Sequence, residues 1–295
     1  MTPVTNIFSV DLEDWFCVQN LNGIIPRDQW EKCESRVERN TMVLLDRLSK
    51  HNVEGTFFVL GWVAERYPDL IREVERRGHE IATHGYSHQL LTYMTPEEYR
   101  ADLGRSLEVL ARCSSQTVRG FRAPSFSVTR KTWWALEIMR DAGISYDSSI
   151  FPVGFHPDYG VPDFPLSAQQ LPEGPLELPM SCVEMFGRRI PCSGGGYFRL
   201  FPYPVTRALM RRCNSQGRPV VFYIHPWEVD PGQPRVQMPA SKKFRHYNNL
   251  DKTLERIDRL LEDFRFSSVR KVRPEVTCVG VGRKPDVQGR SPAPQ

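Results

Sequence analysis

Several common features are missing from this chain, and each absence excludes something. Its seven cysteines (Cys17, Cys33, Cys113, Cys182, Cys192, Cys213 and Cys278) include no CxxC pair, and their number is odd. Neither a disulfide framework nor a cysteine zinc knuckle is expected, and the cysteines read as reduced thiols. No window approaches the roughly 18–20 apolar residues of a membrane span. The opening stretch, MTPVTNIFSVDLEDW, has neither a basic start nor an apolar run of signal-peptide length. The chain as given is therefore expected to be cytoplasmic, with no transmembrane segment. It contains no Lys/Arg-rich run, and 39 basic against 35 acidic residues leave a formal charge of only +4, which argues against nucleic acid as a partner.

What is present is a chain of 295 residues, 40% hydrophobic, long enough for a large core. Short apolar runs at 6–10, 55–63, 79–83, 118–121, 144–148, 176–180 and 220–225 read as strands. Amphipathic stretches between them read as helices. One follows Pro68, and another is opened by the capping box Thr95-Pro96-Glu97-Glu98. Further helices are expected around Trp133–Met139, near 205–215, and over Leu250–Leu261. The alternation without a composition break predicts one α/β domain over 1–281 with a mainly parallel sheet, barrel or open. Two proline- and glycine-rich stretches, 151–204 and 226–249, read as long loop insertions, and 282–295 as a disordered tail. In such a fold the functional groups sit at the C-terminal ends of the strands.

Four strand ends carry polar groups suited to chemistry. SVDLEDW places Asp11, Glu13 and Asp14 where the first strand ends; three close carboxylates need a cation or a proton to neutralise them. In GHEIATHGYSH, His84 and His88 are four residues apart just after a strand. One helical turn would put them on the same side, ~6 Å apart, a spacing that suits two imidazoles on one metal. The pair is not HExxH, because position 85 is Gly, which disfavours a zincin peptidase. His79, at the start of that strand, reads as structural. GFRAPSFS puts Arg122 before a proline-stiffened loop containing Ser125 and Phe126, and FYIHPWE puts His225 after a strongly apolar strand. A fifth strand end delivers Asp147 in YDSSIFP.

These motifs, in this order over roughly residues 5 to 230, resemble the polysaccharide deacetylase family, also called the NodB-homology or carbohydrate esterase family 4 enzymes. The segments 193–203, 225–235 and 245–250 are similar to the subfamily from exopolysaccharide loci with PEP-CTERM/exosortase systems. The resemblance implies a distorted (β/α) barrel of about seven parallel strands with loop insertions in its C-terminal half. It implies hydrolysis of N-acetyl groups on a polysaccharide or its oligosaccharide precursor in exopolysaccharide biosynthesis. It further implies a divalent metal, zinc above all, on His84, His88 and an acid, which is Glu13 or Asp14 because Leu12 stands where the family's metal aspartate usually follows the base. Asp11 would be the base, Arg122 its holder, the Ser125 N–H an oxyanion donor and His225 the general acid. Asp147 belongs to the fourth motif. The usual second aspartate there is missing, which leaves the partner of His225 open.

Trp15, Phe126, Tyr197, Phe198 and Trp227 flank these motifs and are candidates for a sugar platform. The expected partner is an N-acetylated saccharide, with a possible encounter with a lipid-linked precursor at the membrane face. A sugar N-deformylase, a cyclic amide hydrolase and a non-catalytic carbohydrate-binding relative are the alternatives on the same site.

Overall fold

The computed structural model describes residues 3–154, 159–172, 174–192 and 194–277. Cys278 and the expected tail at 282–295 lie outside them. The strands are β1 (Thr5–Leu12), β2 (Thr56–Val59), β3 (Glu80–Thr83), β4 (Gly120–Phe121), β5 (Tyr146–Asp147), β6 (Gln169–Gln170), β7 (Leu176–Glu177), β8 (Cys182–Met185), β9 (Arg188–Pro191), β10 (Val221–Ile224) and β11 (Arg265–Ser267). The helices are α1 (Val37–Lys50), α2 (Gly61–Arg66), α3 (Pro68–Arg76), α4 (Pro96–Cys113), α5 (Ala135–Asp141), α6 (Gly195–Leu200), α7 (Tyr203–Ser215), α8 (Ala240–Tyr247), α9 (Thr253–Asp263) and α10 (Val269–Val272).

β1 is buried from Asn6 to Leu12, as expected of a strand covered on both faces of a parallel sheet. It pairs in parallel with β2 on one side and β10 on the other, and its first residues pair with β11. The main sheet runs β10-β1-β2-β3-β4-β5-β7-β6, with only β6 antiparallel. It curls into a half-barrel whose end strands, β10 and β6, do not pair with each other. The connections from β1 through β5 contain helices, whereas β5 reaches its parallel neighbour β7 through a stretch whose described residues include β6; Thr95 closes the expected capping box on α4 with Glu98. No helix among the described residues is long and apolar enough to cross a membrane.

Some boundaries differ from expectation. The apolar run 55–63 is split: β2 stops at Val59 and α2 starts at Gly61, because a four-residue strand already spans the sheet there. The stretches expected as loops contain structure. Besides β7, which falls in the strand expected at 176–180, residues 151–204 hold β6, the antiparallel hairpin β8–β9 and α6, and 226–249 holds α8. Hydrophobic periodicity is a poor guide to strands and helices this short.

Register fixes which side chains share a face. Asp11 is level with Phe58 and Phe58 with Ala82; Ile7, Phe58, Ala82, Tyr146 and Tyr223 pack together on the concave side. Asp147 is level with Phe121, whose ring packs outward with Tyr99 and Leu103. Asp147 therefore faces away from Asp11. The expectation that Asp147 serves the site is corrected by this one-residue parity.

On the convex side Asp147 adjoins Glu177 of β7, and both are fully buried. Burial pushes Asp147 up to about 6. Burial, and then the charge of Asp147, raise Glu177 well above the ordinary range. One oxygen of each, Asp147 Oδ2 and Glu177 Oε2, has no donor among the described residues, so the pair must retain a proton. The unfolded chain releases that proton near pH 4. The stabilisation is thus complete below that range and is lost as the pH rises through about 6 and beyond. Glu177→Gln supplies a permanent donor. The thermal midpoint of the wild type is expected to fall between pH 5 and 8 more steeply than that of the variant; parallel curves would contradict the shared proton.

Candidate metal centre and active site

The end of β1 divides its three acids among three environments. Asp11 points into the concave side, where Arg122 Nη1 donates to its Oδ1 at 2.6 Å. Arg122 is wholly buried; its Nη1 also reaches Ser9 Oγ and its Nε the Ser148 carbonyl, while the guanidinium lies 4.0 Å over the Phe58 ring.

Asp14 serves the start of α1 instead. Its Oδ1 accepts the Trp15 N–H, and its Oδ2 accepts the Ser35 hydroxyl and the N–H groups of Arg36 and Val37. With both oxygens engaged at a helix N-terminus, Asp14 is not brought to the histidines.

Glu13 is. Its Oε2 lies 2.8 Å from His88 Nε2. One potential ligand atom from each of Glu13, His84 and His88 falls within 4.8 Å of the others, and no other such group of three occurs among the described residues. The histidines are not one helical turn apart, contrary to expectation. After β3 the chain makes a loop with Gly85 at φ 72° and His88 at φ 52°. Asp102 of α4 holds this loop by accepting the N–H groups of Tyr86 and Ser87. The ring centroids end 5.3 Å apart.

His84 Nδ1 lies 2.8 Å from the Arg122 carbonyl, a contact that requires Nδ1–H and leaves Nε2 as the ligand atom. Burial and then His88 push His84 down to about 3, so it is neutral. Burial would raise Glu13, but the imidazoles of His88, His225 and His84 hold it below its ordinary value. Glu13 Oε2 is buried, and beyond the imidazole of His88 it has no hydrogen-bond donor among the described residues. A neutral imidazole, a second imidazole and an ionised carboxylate with an unsatisfied oxygen fit a divalent ion with open positions, as in a His₂-carboxylate centre.

His225, after β10, stands beside these groups, its Nε2 3.6 Å from Glu13 Oε1 and 3.8 Å from Asp11 Oδ2. The partner that sequence reasoning left open is Glu228, whose Oε1 lies 2.7 Å from His225 Nδ1. Arg199 Nε donates to the other oxygen of Glu228. Burial opposes the charge on His225, but Glu228, and then Glu13 and Asp11, raise it to about 9. Glu228 is held at about 2 against its burial by Arg199 and His225. A signal for Glu228 existed in the i, i+3 pattern of His225-Pro-Trp-Glu228, which forms a capping box. Nothing local marks Arg199.

The cavity above these groups has a volume of about 270 Å³ and is lined also by Ser125, Phe126, Tyr159, Tyr197, Tyr223 and Trp227. Ser125 and Phe126 have φ of 51° and 54°, a turn that presents both to the cavity. Trp227 lies between His225 and His246, with centroids 5.3 and 4.6 Å away. Gly194 and Gly195 press against Tyr223 so closely that a Cβ on Gly194 would fall 2.0 Å from the Tyr223 carbonyl oxygen, which accounts for glycine there. Two expected platform residues are elsewhere. Trp15 is buried against Phe16 with its Nε1 on the Glu34 carbonyl, and Phe198 is packed edge-on to Phe222. His79 is structural, its Nδ1 accepting the Gly55 N–H.

The division of labour between Glu13 and Asp14 can be measured. Glu13→Gln is expected to fold normally and lose stoichiometric metal. Asp14→Ala is expected to retain metal but lose about 1–3 kcal/mol of stability through its unpaired donors. Metal analysis alongside denaturant melts checks both, and loss of metal in the folded Asp14 variant would reverse the assignment.

Residues 29–146 match the polysaccharide deacetylase family, and residues 148–273 match a domain of unknown function, DUF3473. A peptidoglycan-N-acetylglucosamine deacetylase of Bacillus cereus is 35% identical over 98 residues, 33% of this chain and 36% of that protein. A chitooligosaccharide deacetylase of a Bradyrhizobium species is 37% identical over 82 residues, 28% of this chain and 37% of that protein. The chain thus spans well under half the length of these curated relatives. A solved structure from Mycobacterium smegmatis, described as a candidate polysaccharide deacetylase, shares the fold with a TM-score of 0.57 at 20% identity, covering 96% of this chain and 99% of that one. His84, His88, Arg122 and Ser125 lie inside the segment similar to the polysaccharide deacetylase family, and the fold is shared with the Mycobacterium smegmatis structure along almost the whole chain.

Proposed function

We propose that the chain hydrolyses the N-acetyl amide of a saccharide, releasing acetate and a free amine. The observation that carries this reading is the juxtaposition in one cavity of the Glu13–His84–His88 triad, the Asp11–Arg122 pair and the His225–Glu228 pair. A divalent ion on the triad, zinc by its imidazole and carboxylate donors, would supply Lewis acidity toward the amide carbonyl and a water. Asp11 takes the proton of the attacking water, and the Arg122 guanidinium, donating to its Oδ1, holds it in place. The Ser125 N–H donates to the oxygen on which negative charge develops, a contact worth about 3–4 kcal/mol in comparable sites. His225, held protonated by Glu228, gives its Nε2 proton to the departing nitrogen. Phe126, Tyr197 and Trp227 offer the sugar apolar faces.

The substrate is a polysaccharide or its oligosaccharide precursor in exopolysaccharide biosynthesis. The similarity of 193–203, 225–235 and 245–250 to the exopolysaccharide-locus subfamily supports this, as do the N-acetylated sugars named for the curated relatives.

Acetate release from N-acetylated oligosaccharides, with and without chelator, tests the reading. His84→Ala is expected to lose both metal and acetate release; full activity in that variant would sink the site. Glu228→Gln is expected to keep its metal and lower kcat about 10–100-fold, the usual effect of removing a group that orients a catalytic imidazole's partner shell.

A further inference from the structure

Between Asp230 and Asp251 the chain carries no acidic residue, whereas Arg235, Lys242, Lys243 and Arg245 all fall there. Three of these cations are on α8, and one of them, Arg245, lines the cavity together with Phe244 and Asn248. Arg245 is exposed, and Phe244 is 56% exposed, an unusual position for a large apolar ring. Among the described residues none of the four cations lies within 4 Å of a carboxylate. Some exposed arginines elsewhere on the surface find partners, as Arg72 does with Asp69, Arg76 with Glu73 and Arg259 with Glu255, while others, such as Arg100, Arg112 and Arg212, find none among the described residues; Arg245 differs from these in lining the cavity. The acids inside the cavity face other groups, Asp11 with Arg122, Glu228 with Arg199 and Glu13 with His88.

The mouth is also tied to the centre. Arg199 Nη2 donates to the Arg245 carbonyl at 2.9 Å, and its Nη1 donates to the carbonyls of His246 and Asn248. The same guanidinium holds Glu228, which holds His225. The backbone that presents Arg245 is therefore fixed relative to the catalytic imidazole.

We infer that Phe244 and Arg245 form a subsite for a negatively charged sugar unit, bearing a carboxylate or a phosphate ester, next to the N-acetylated unit that reacts. The sugar face lies on Phe244 and its anionic oxygens meet the Arg245 guanidinium, whose planar fork suits both groups. Arg235, Lys242 and Lys243 add a field of the same sign around the mouth, which makes the attraction salt-dependent. The inference rests on the deacetylase reading and adds the charge of the polymer to it.

Three oligosaccharides of equal length test it: a neutral N-acetylglucosamine oligomer, one carrying a uronate unit, and one carrying a phosphate ester. Binding by calorimetry and kcat/KM for acetate release are compared for wild type, Arg245→Gln and Arg245→Lys at low and high salt. The wild type is expected to bind at least one charged probe about tenfold more tightly than the neutral one. That preference should collapse toward one in Arg245→Gln, persist in part in Arg245→Lys, and fade at high salt. Whichever charged probe is preferred identifies the group. Equal binding of all three, binding of none, or an undiminished preference in Arg245→Gln overturns the subsite. Charge preference in binding without acetate release from any probe would instead overturn the deacetylase reading and leave the subsite standing.

Discussion

A single buried guanidinium connects most of the site. Arg122 has no contact with solvent, so each of its donors must find an acceptor within the protein. It finds them on one strand and just beyond another: Asp11 and Ser9 on β1, and the carbonyl and hydroxyl of Ser148 after β5. Its own carbonyl meets the Nδ1 of His84, after β3. One residue thereby fixes the position of the Asp11 carboxylate and the tautomer of His84. Losing one partner from a buried pair of this kind typically costs about 3–5 kcal/mol, because the remaining charge stays buried. The polar groups of the concave face are thus tied to one another by hydrogen bonds within the protein, an arrangement of the kind that electrostatic stabilisation of a transition state uses.

Charge alternates outward from that pair. Arg122 is followed by Asp11, then His225, then Glu228, then Arg199, each within reach of the next. Glu13 enters the row beside His225. An isolated ion in this cavity would be expensive, but each has an opposite neighbour, and the two ends of the row terminate on backbone carbonyls. Imidazole character is divided by the same logic. His84, buried and beside another imidazole, is driven neutral; His225, although buried, faces three carboxylates and is driven toward its cation. Two histidines a few ångströms from a common carboxylate thus take opposite roles, one suited to ligating and the other to donating a proton.

Much of this was legible in the chain because strand ends in a parallel sheet converge, so Asp11, His84, Arg122 and His225 could be placed together from hydrophobic runs alone. What could not be read depended on parity, loop geometry or distance. Asp147 is a polar residue at a strand end like the others, but β5 has only two residues, too few to show which of them faces inward. His84 and His88 have helical spacing, yet Gly85 and the left-handed His88 make a turn whose anchor, Asp102, lies on a helix beyond it. Glu13 and Asp14 are adjacent and chemically alike; only the position of α1 decides that Asp14 caps it. Trp15 and Phe198 sit beside functional motifs and still pack in the core, since neighbourhood in sequence says little about face.

The order of the sheet explains why the two matched segments must act together. Residues 29–146 contain His84, His88 and Arg122, and residues 148–273 contain Arg199, His225 and Glu228. Asp11 and Glu13 precede both. β1 lies between β2 and β10, so the first strand is paired on one side with the beginning of one segment and on the other with the end of the second. The acids at its tip face the metal-site histidines across β2 and β3 and face His225 across β10. A site divided this way cannot be completed by either segment alone. The C-terminal segment also brings α6 and α8, clamped together by Arg199, to the rim. The groups poised for reaction and the groups lining the mouth are then set by different parts of the chain, and the mouth can vary in composition while the β1–β10 pairing keeps the chemistry in register.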